Sequence, residues 1–464
     1  MLRVIVGLLL ILTFVSGCSL RPKQTDIADL QRLPQSASYY LNPTDADKPL
    51  TLRPNQNERA QQFRQKFFAP WQIMTADGQP DDAPVGNIDT LFWAVEWLDK
   101  GELYGANLRR HPRPWIEALI AATDQDNYPS LNRRAITVRR ANLRALPTAT
   151  PCFRDPYRAG EGYPFDYLQN SVLEPGVPLR ITHQTPDGSW LLVETALVSG
   201  WVTPFELAYV DETFAASWQG QPLMAFTREQ VALTDDAGQF RGYAHIGTLL
   251  PLGGQPGALG DQTEVALWFA VADSQRRAVI KNVRIAHDAA ALFPLAMTPR
   301  QIALLGDHLL GEVYGWGGIA GGRDCSATLR DLFTPFGLWL PRNSSKQIKL
   351  GAQTDLSGLS LLEKQALLAQ QGIPFASLLG MKGHILLYLG QYQGEAVALH
   401  TLWGLKTADL LHGVGRKLVG GTVITSLQPG AELLNLSQPE GNLLYRIDHI
   451  SSLLTLEKPG LAQK

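Results

Sequence analysis

"GGRDCSATLRDLF", residues 321–333, sets a lone cysteine between an aspartate and a serine, directly after two glycines and an arginine. Leu329, Leu332, Phe333 and Phe336 fall on one apolar stripe of a helix that starts here. Cys325 lies on the same inward stripe at the helix N-terminus, and Pro335 and Gly337 end or kink the helix. A helix N-terminus carries partial positive charge and unpaired N–H groups. Both are expected to lower the thiol pKa toward the nucleophilic thiolate, and the N–H groups suit an oxyanion. The alternative is an inert core cysteine, so the rest of the chain has to supply a base.

Two of the nine histidines stand out. "GHILLYLG" (383–390) puts His384 at the head of an alternating run, and "AVALHTLWG" (396–404) puts His400 inside the next, with the turn signal "GQYQGE" (390–395) between them. A hairpin centred on Tyr392 is expected to set the two imidazoles opposite each other on one face, within ~5 Å at Cβ. One then takes the thiol proton and the other orients it. Upstream, "PRQIALLGDHLLGEVYGWGG" (299–318) reads as a helix followed by a glycine-rich turn.

The composition is that of an ordered, multidomain globular chain: 464 residues, 45% hydrophobic and 18% charged. With 41 basic and 43 acidic residues, the net charge of −2 leaves no electrostatic footprint for nucleic acid. Neither HExxH nor a Cys/His cluster of zinc spacing occurs, so no metal and no other cofactor is expected.

Residues 1–18 read as a signal peptide, with Arg3, an apolar run too short to span a membrane, and small residues before Cys18. "VSGC" resembles a bacterial lipobox, which implies a lipidated Cys18. Ser19 after it, by resemblance to Gram-negative lipoprotein sorting, implies the outer membrane facing the periplasm. Residues 19–55 are polar and are expected to form a tether. Cys152 and Cys325 remain in the body of the protein. In an exported chain they either pair or leave Cys325 free, and the second reading is expected.

From 56 to 131 the spacing predicts a helical domain, with Phe67, Phe68, Trp71, Phe92, Trp93 and Trp97 expected in its core. Residues 133–211 alternate as short strands, with Asp187-Gly188 as a hairpin turn. They are interrupted at 150–172 by an insert containing "YPFDYLQNS". Residues 222–292 form a second strand-rich unit, and 296–455 the unit bearing Cys325. "DGSW…SGWV", with Trp190, Gly200 and Trp201, resembles bacterial SH3-like domains, and the second unit resembles a weaker one.

The set "YGWGG…DCSATLRDLF…LPRNSSKQ…GHILLYLG…LHTLWG", within 314–404, resembles the NlpC-type cysteine peptidases of the NlpC/p60 superfamily. With the preceding units, the chain resembles multidomain γ-D-glutamyl-L-diamino acid endopeptidases of cell-wall peptidoglycan. The fold this implies is α+β and multidomain: a helical N-terminal clip, two SH3-like β-barrels and a papain-like catalytic domain, working as a monomer on murein stem peptides. The resemblance makes Cys325 the nucleophile, His384 the base and His400 the orienting third member. It places Tyr314 near the oxyanion and Trp316, Asp324, Ser326 and Ser344 along the substrate groove, with Tyr167 of the insert as an additional wall. Ala327 stands where the family commonly has glycine. Asp324 is further expected to bind the free ammonium of N-terminal L-Ala, giving a preference for stem peptides that have lost their sugar. The rival readings are a non-catalytic murein-binding lipoprotein and a different thiol amidase or acyltransferase on the same fold.

Overall fold

The computed structural model describes residues 26–72, 91–98, 101–254, 263–410 and 413–455. The chain is mixed α+β: a helical N-terminal region, two SH3-like β units and a C-terminal α+β domain. Helix α1 (Arg53–Phe68) starts with Pro54 in its first turn, where the missing N–H costs nothing. It buries Ala60, Phe63 and Phe68. Phe63 packs edge-on to Trp339 at 5.0 Å, and Trp71, just beyond, donates its indole N–H to the Ala135 carbonyl at 2.8 Å. These aromatics join the N-terminal region to the β units. Trp93 departs from expectation: it is 41% exposed and faces a groove rather than the core.

The stretch read as a tether is packed from residue 26 onward. Ile27, Asp29, Leu33, Ala37 and Ala46 are buried. Asp29 accepts from the Ser426 N–H at 2.7 Å, and the Gln35 amide bonds both backbone groups of Ile424. Its few apolar residues, irregularly spaced among polar ones, are what the composition concealed.

The first β unit, between Arg133 and Tyr209, is one seven-stranded antiparallel sheet; in strand order, the third, second, sixth, fifth, fourth, first and seventh strands lie side by side. Trp201 is fully buried in it. The second, between Leu223 and Leu292, divides into a four-stranded and a three-stranded sheet.

The C-terminal domain sets α2 (Pro299–Leu309) and α3 (Cys325–Phe333) against a six-stranded sheet. Its strands are β1 (Ala352–Asp355), β2 (Ser377–Met381), β3 (His384–Tyr392), β4 (Glu395–Asp409), β5 (Gly413–Ser426) and β6 (His449–Ser452), in the order β1-β6-β2-β3-β4-β5. Leu329, Leu332, Phe333 and Phe336 are all fully buried against α2, β3 and β4. Each contributes roughly 1.5–3 kcal/mol by burial. Past α3, Gly337 turns the chain at φ 77°, where a Cβ would come within 2.9 Å of the Ala60 Cβ. No helix among the described residues is long and apolar enough to cross a membrane.

Candidate active site

Cys325 is the first residue of α3, and Asp324 is its N-cap, accepting the Ala327 N–H at 2.9 Å. The thiol sits 9% exposed, beside the backbone N–H groups of Ile385 and Ser326. Burial, followed by the Asp324 carboxylate, pushes it up to about 12; Ile385, Arg342 and Ser326 pull the other way without reversing the outcome. The expectation of a thiolate held by the helix start is therefore corrected. In the resting site desolvation outweighs the dipole, and the thiol is neutral.

His384 heads β3 and His400 lies in β4; His384 Nε2 is 2.8 Å from His400 Nδ1. His400 Nε2 in turn meets the Thr425 hydroxyl at 3.0 Å. The hairpin turns at Gln393-Gly394, both with positive φ, rather than at Tyr392. From Tyr392↔Glu395 the register runs to Gly390↔Val397, then slips by one to Tyr388↔Ala398. This slip, a bulge at Leu389, decides the site. A one-residue shift moves a side chain to the other face, so an unbroken ladder would put the two histidines on opposite faces. With the bulge they share a face as a diagonal pair, not a directly opposed one. Burial drives His384 down to about 3, with Arg446 adding to the effect, and drives His400 well below the usual imidazole value. Both rings are neutral, as a base and its orienting partner need to be.

Asp324 does more than cap the helix. Its Oδ1 accepts from Ala327 N, Ser326 Oγ and Arg342 Nη1, and its Oδ2 from Gly317 N and, at 2.6 Å, Arg342 Nη2. Both oxygens are thus paired within the protein, although Asp324 and Ser326 line the groove beside Cys325. The cation that balances it is Arg342, buried to 6%. Arg342 also donates from Nε to Ser171 of the first β unit at 3.0 Å. Ser326 is absorbed into the same network, its hydroxyl donating to Asp324 at 2.9 Å and accepting from Arg342 at 3.0 Å.

Around Cys325 and His384 opens a groove of about 720 Å³. Tyr314, Trp316, Ser344 and Tyr167 all line it. Burial, with the Asp324 carboxylate adding to it, raises the Tyr314 phenol, so its hydroxyl stays a donor. Tyr167 stacks on Trp97 at 4.9 Å, and Phe165 packs against Trp316 at 5.4 Å. The insert is pinned by Asp166, which accepts the N–H groups of Cys152 and Leu168 and pairs with Arg144 at 2.6 Å. The insert therefore reaches the groove as one wall. Trp403, at the point where β4 slips against β5, packs edge-on to Phe165 of the insert at 6.3 Å and lies 5.7 Å from the Tyr314 ring.

The glycine-rich turn is where the first β unit docks. Gly317 has φ 59°, and a Cβ there would fall 2.2 Å from the Gln169 carbonyl oxygen; at Gly318 it would fall 2.3 Å from Val172 Cγ2. On the other flank, Arg323 pairs with Glu229 of the second β unit and with Asp331, both at 2.8 Å. Cys152 and Cys325 are both free. Burial pushes the Cys152 thiol up to about 12 as well. No cluster of three or more His, Cys, Asp or Glu able to hold a metal ion occurs among the described residues.

Arg342, Trp403, Phe165 and Thr425 were not singled out from the sequence. Arg342 had a signal, an arginine following Leu-Pro beside the serines of "LPRNSSKQ". Thr425 had none.

A cysteine at a helix start, with an ordered pair of histidines on the adjacent sheet, is the arrangement of a papain-like fold. Sequence comparison gives the family. Residues 311–407 match the NlpC/P60 family and 7–128 its N-terminal stabilising domain; 151–203 match an SH3 domain of SH3b1 type and 211–255 one of SH3b2 type. The C-terminal domain is thus similar to the NlpC/P60 family over residues 311–407, behind a match to that family's N-terminal stabilising domain. Among solved structures the chain resembles an NlpC/P60 endopeptidase from Photobacterium damselae subsp. piscicida, with 25% identity, 91% of this chain and 98% of that one covered, and a TM-score of 0.80. It also matches an NlpC/P60 family protein from Bacillus cereus ATCC 10987 at 14% identity, covering 69% and 99%, with a TM-score of 0.47. No curated protein matches. Family and fold together support a cell-wall peptidase with SH3-type domains.

Proposed function

We propose that the protein hydrolyses the γ-D-glutamyl–diamino acid bond of murein stem peptides. The observation that carries this reading is the thiol at the head of α3 beside Ile385 N–H, with the His384–His400 pair completing the set at one groove. Cys325 Sγ attacks the γ-carbonyl and its proton passes to His384, which His400 holds in position. Oxygen charge develops near the first-turn N–H of Cys325, which has no intrahelical acceptor, and near the neutral Tyr314 hydroxyl. Collapse expels the diamino acid amine, which takes the proton from His384. Water then attacks the thioester, gives its proton to His384 and releases the γ-carboxylate and the thiol.

The preference for peptides with a free N-terminal L-Ala now rests on shape. Phe165 and Tyr167 wall the groove, and Trp93 of the helical region lines it as well, which suits trimming of released stem peptides in murein recycling. On this reading the protein is a monomer tethered through Cys18 to the outer membrane, facing the periplasm, and needs no cofactor. Residues 1–25, Cys18 among them, lie outside the described residues.

The test is mass spectrometry of defined muropeptides after incubation with the protein and with Cys325→Ala. A new γ-D-glutamate terminus with the former only is expected. Cleavage at another amide would favour the amidase reading, and wall binding without any cleavage the relict-lipoprotein reading.

A further inference from the structure

None of the described residues of the second β unit lines the groove, yet the unit is seated on the helix that Cys325 begins. Its turn from His245 to Thr248 lies against the middle of α3: Gly247 has φ 90°, and a Cβ there would fall 2.9 Å from Asp331 Cα. Glycine permits this close approach of the two backbones. Beside the turn, Glu229 accepts from Ile246 N at 3.0 Å, and its second oxygen lies 2.8 Å from His245 Nδ1. The unit thus orders this carboxylate with its own groups. The oxygen that takes the Ile246 N–H also takes Arg323 Nη2, at 2.8 Å.

Arg323 is 3% exposed, and its side chain also donates to Asp331 Oδ2 at 2.8 Å and to the Ile246 carbonyl at 3.4 Å. Its main chain carries the contact to the groove. The Arg323 N–H donates to the Val313 carbonyl at 3.2 Å, and the Arg323 carbonyl accepts from Gly315 N at 2.9 Å. The residue therefore bridges Tyr314 in parallel register, while the Tyr314 N–H is held by the Gly420 carbonyl of β5 at 2.9 Å. Two residues beyond Arg323 stands Cys325. Tyr314 and Cys325 both line the groove, and Arg323 is the link between the segments that carry them. A buried guanidinium that loses one of its two carboxylates is left undercompensated, and the backbone on either side moves with it.

Resting on the function proposed above, we propose that Glu229 is a positioning residue for the reaction. Through Arg323 it sets the placement of the Tyr314 hydroxyl relative to Cys325, the two groups between which the oxygen charge develops. The second SH3-like unit is then a working part of the active site, although it touches no substrate. A misplacement of about 1 Å can cost roughly a hundredfold in rate, and with Asp331 still on Arg323 a loss of roughly tenfold is expected.

Glu229→Gln keeps the size of the side chain and removes its charge. On L-Ala-γ-D-Glu-diaminopimelate its kcat should fall about tenfold with KM within about twofold of native, and Glu229→Asp should recover part of the loss. Asp235→Asn is the control. Asp235 is paired with Arg241 inside the same unit, so its loss should lower the urea midpoint and leave kcat unchanged. An unchanged kcat in Glu229→Gln, or an equal fall in Asp235→Asn, overturns the positioning role and leaves the peptidase reading standing. Alkylation by iodoacetamide puts the same question without a substrate. Cys325 should react at least threefold faster in Glu229→Gln than in the native protein, with Cys152 unchanged, as followed by peptide mapping. Equal rates at Cys325 overturn the link through Arg323. Cleavage of no stem peptide by the native protein overturns the peptidase reading, and the alkylation rates alone then decide whether Glu229 places Cys325.

Discussion

His384 and His400 meet at 2.8 Å because β3 takes one residue more than β4 needs, at Leu389. The slip sits at Gly390, whose φ is 117°, a backbone conformation that a side chain would strain. The histidine pair thus depends on a glycine remote from Cys325 in the sequence. Gly390→Val should lower kcat with little change in KM, as the hairpin is forced toward a regular register. An unchanged kcat would mean that the bulge forms without the glycine.

Cys325→Ala and His384→Ala should each abolish turnover with the fold retained, as judged by circular dichroism. His400→Ala should keep a residual rate, since it orients the base rather than accepting the proton. Loss of a general base removes about 10²–10⁴ in rate, and His400→Ala is expected at the low end. Hydrolysis persisting in Cys325→Ala would rule the thiol mechanism out.

The pH behaviour follows from burial. The base must be neutral to act, and His384 is driven down to about 3. The acid limb of kcat/KM should therefore lie well below the ordinary histidine value of about 6.5, with activity retained at pH 5. Because the thiol is pushed up to about 12, alkylation by iodoacetamide should climb steadily from pH 6 to 9. A rate already level from pH 5 upward would reveal a preformed thiolate–imidazolium pair instead. Stability follows the same groups. Both histidines bind protons more readily unfolded, so their contribution is complete above about pH 6.5 and is lost as pH falls from there toward 3.

Removing Arg342 leaves the buried Asp324 carboxylate unpaired. Arg342→Ala should cost about 3–5 kcal/mol in urea unfolding, and Arg342→Lys should recover only part of that, because the pairing is two-pronged. In the double variant with Asp324→Asn much of the loss should return. If the double variant is as unstable as the single one, packing rather than charge is what Arg342 supplies.

Opening the insert wall should broaden the substrate range. Phe165→Ala combined with Tyr167→Ala is expected to raise cleavage of the N-acetylated tripeptide relative to the free one. If the ratio of the two rates is unmoved, the insert does not select the peptide end.

What could be read from the chain was what repeats or alternates. The stripe from Leu329 to Phe336 and the strand alternation around His384 and His400 mark the elements that carry Cys325 and the two histidines. What could not be read was what depends on a partner from another unit. Asp324 looks like a free acid until Arg342 arrives across the fold. The thiol looks activated until its burial at the head of α3, beside the Asp324 carboxylate, is seen. The parity of the histidine hairpin turns on a single bulge that alternation alone does not reveal. The polar 19–55 stretch hid Ile27, Leu33 and Ala37 because a strand of side-chain amides and carboxylates, not an apolar stripe, makes most of its contacts.

That strap has a consequence for the order in which the molecule is completed. β5 is an edge strand, and an uncovered edge invites pairing with other chains. Here Gln35 offers its amide to both backbone groups of Ile424, and Asp29 takes the N–H and hydroxyl of Ser426, 397 residues away. The cover for the last long strand is among the first residues synthesised. Its contacts with that strand can form only when nearly the whole chain exists, so the C-terminal domain is finished by its own beginning. Trimming the strap should expose that edge, even though no residue of the active site has been removed.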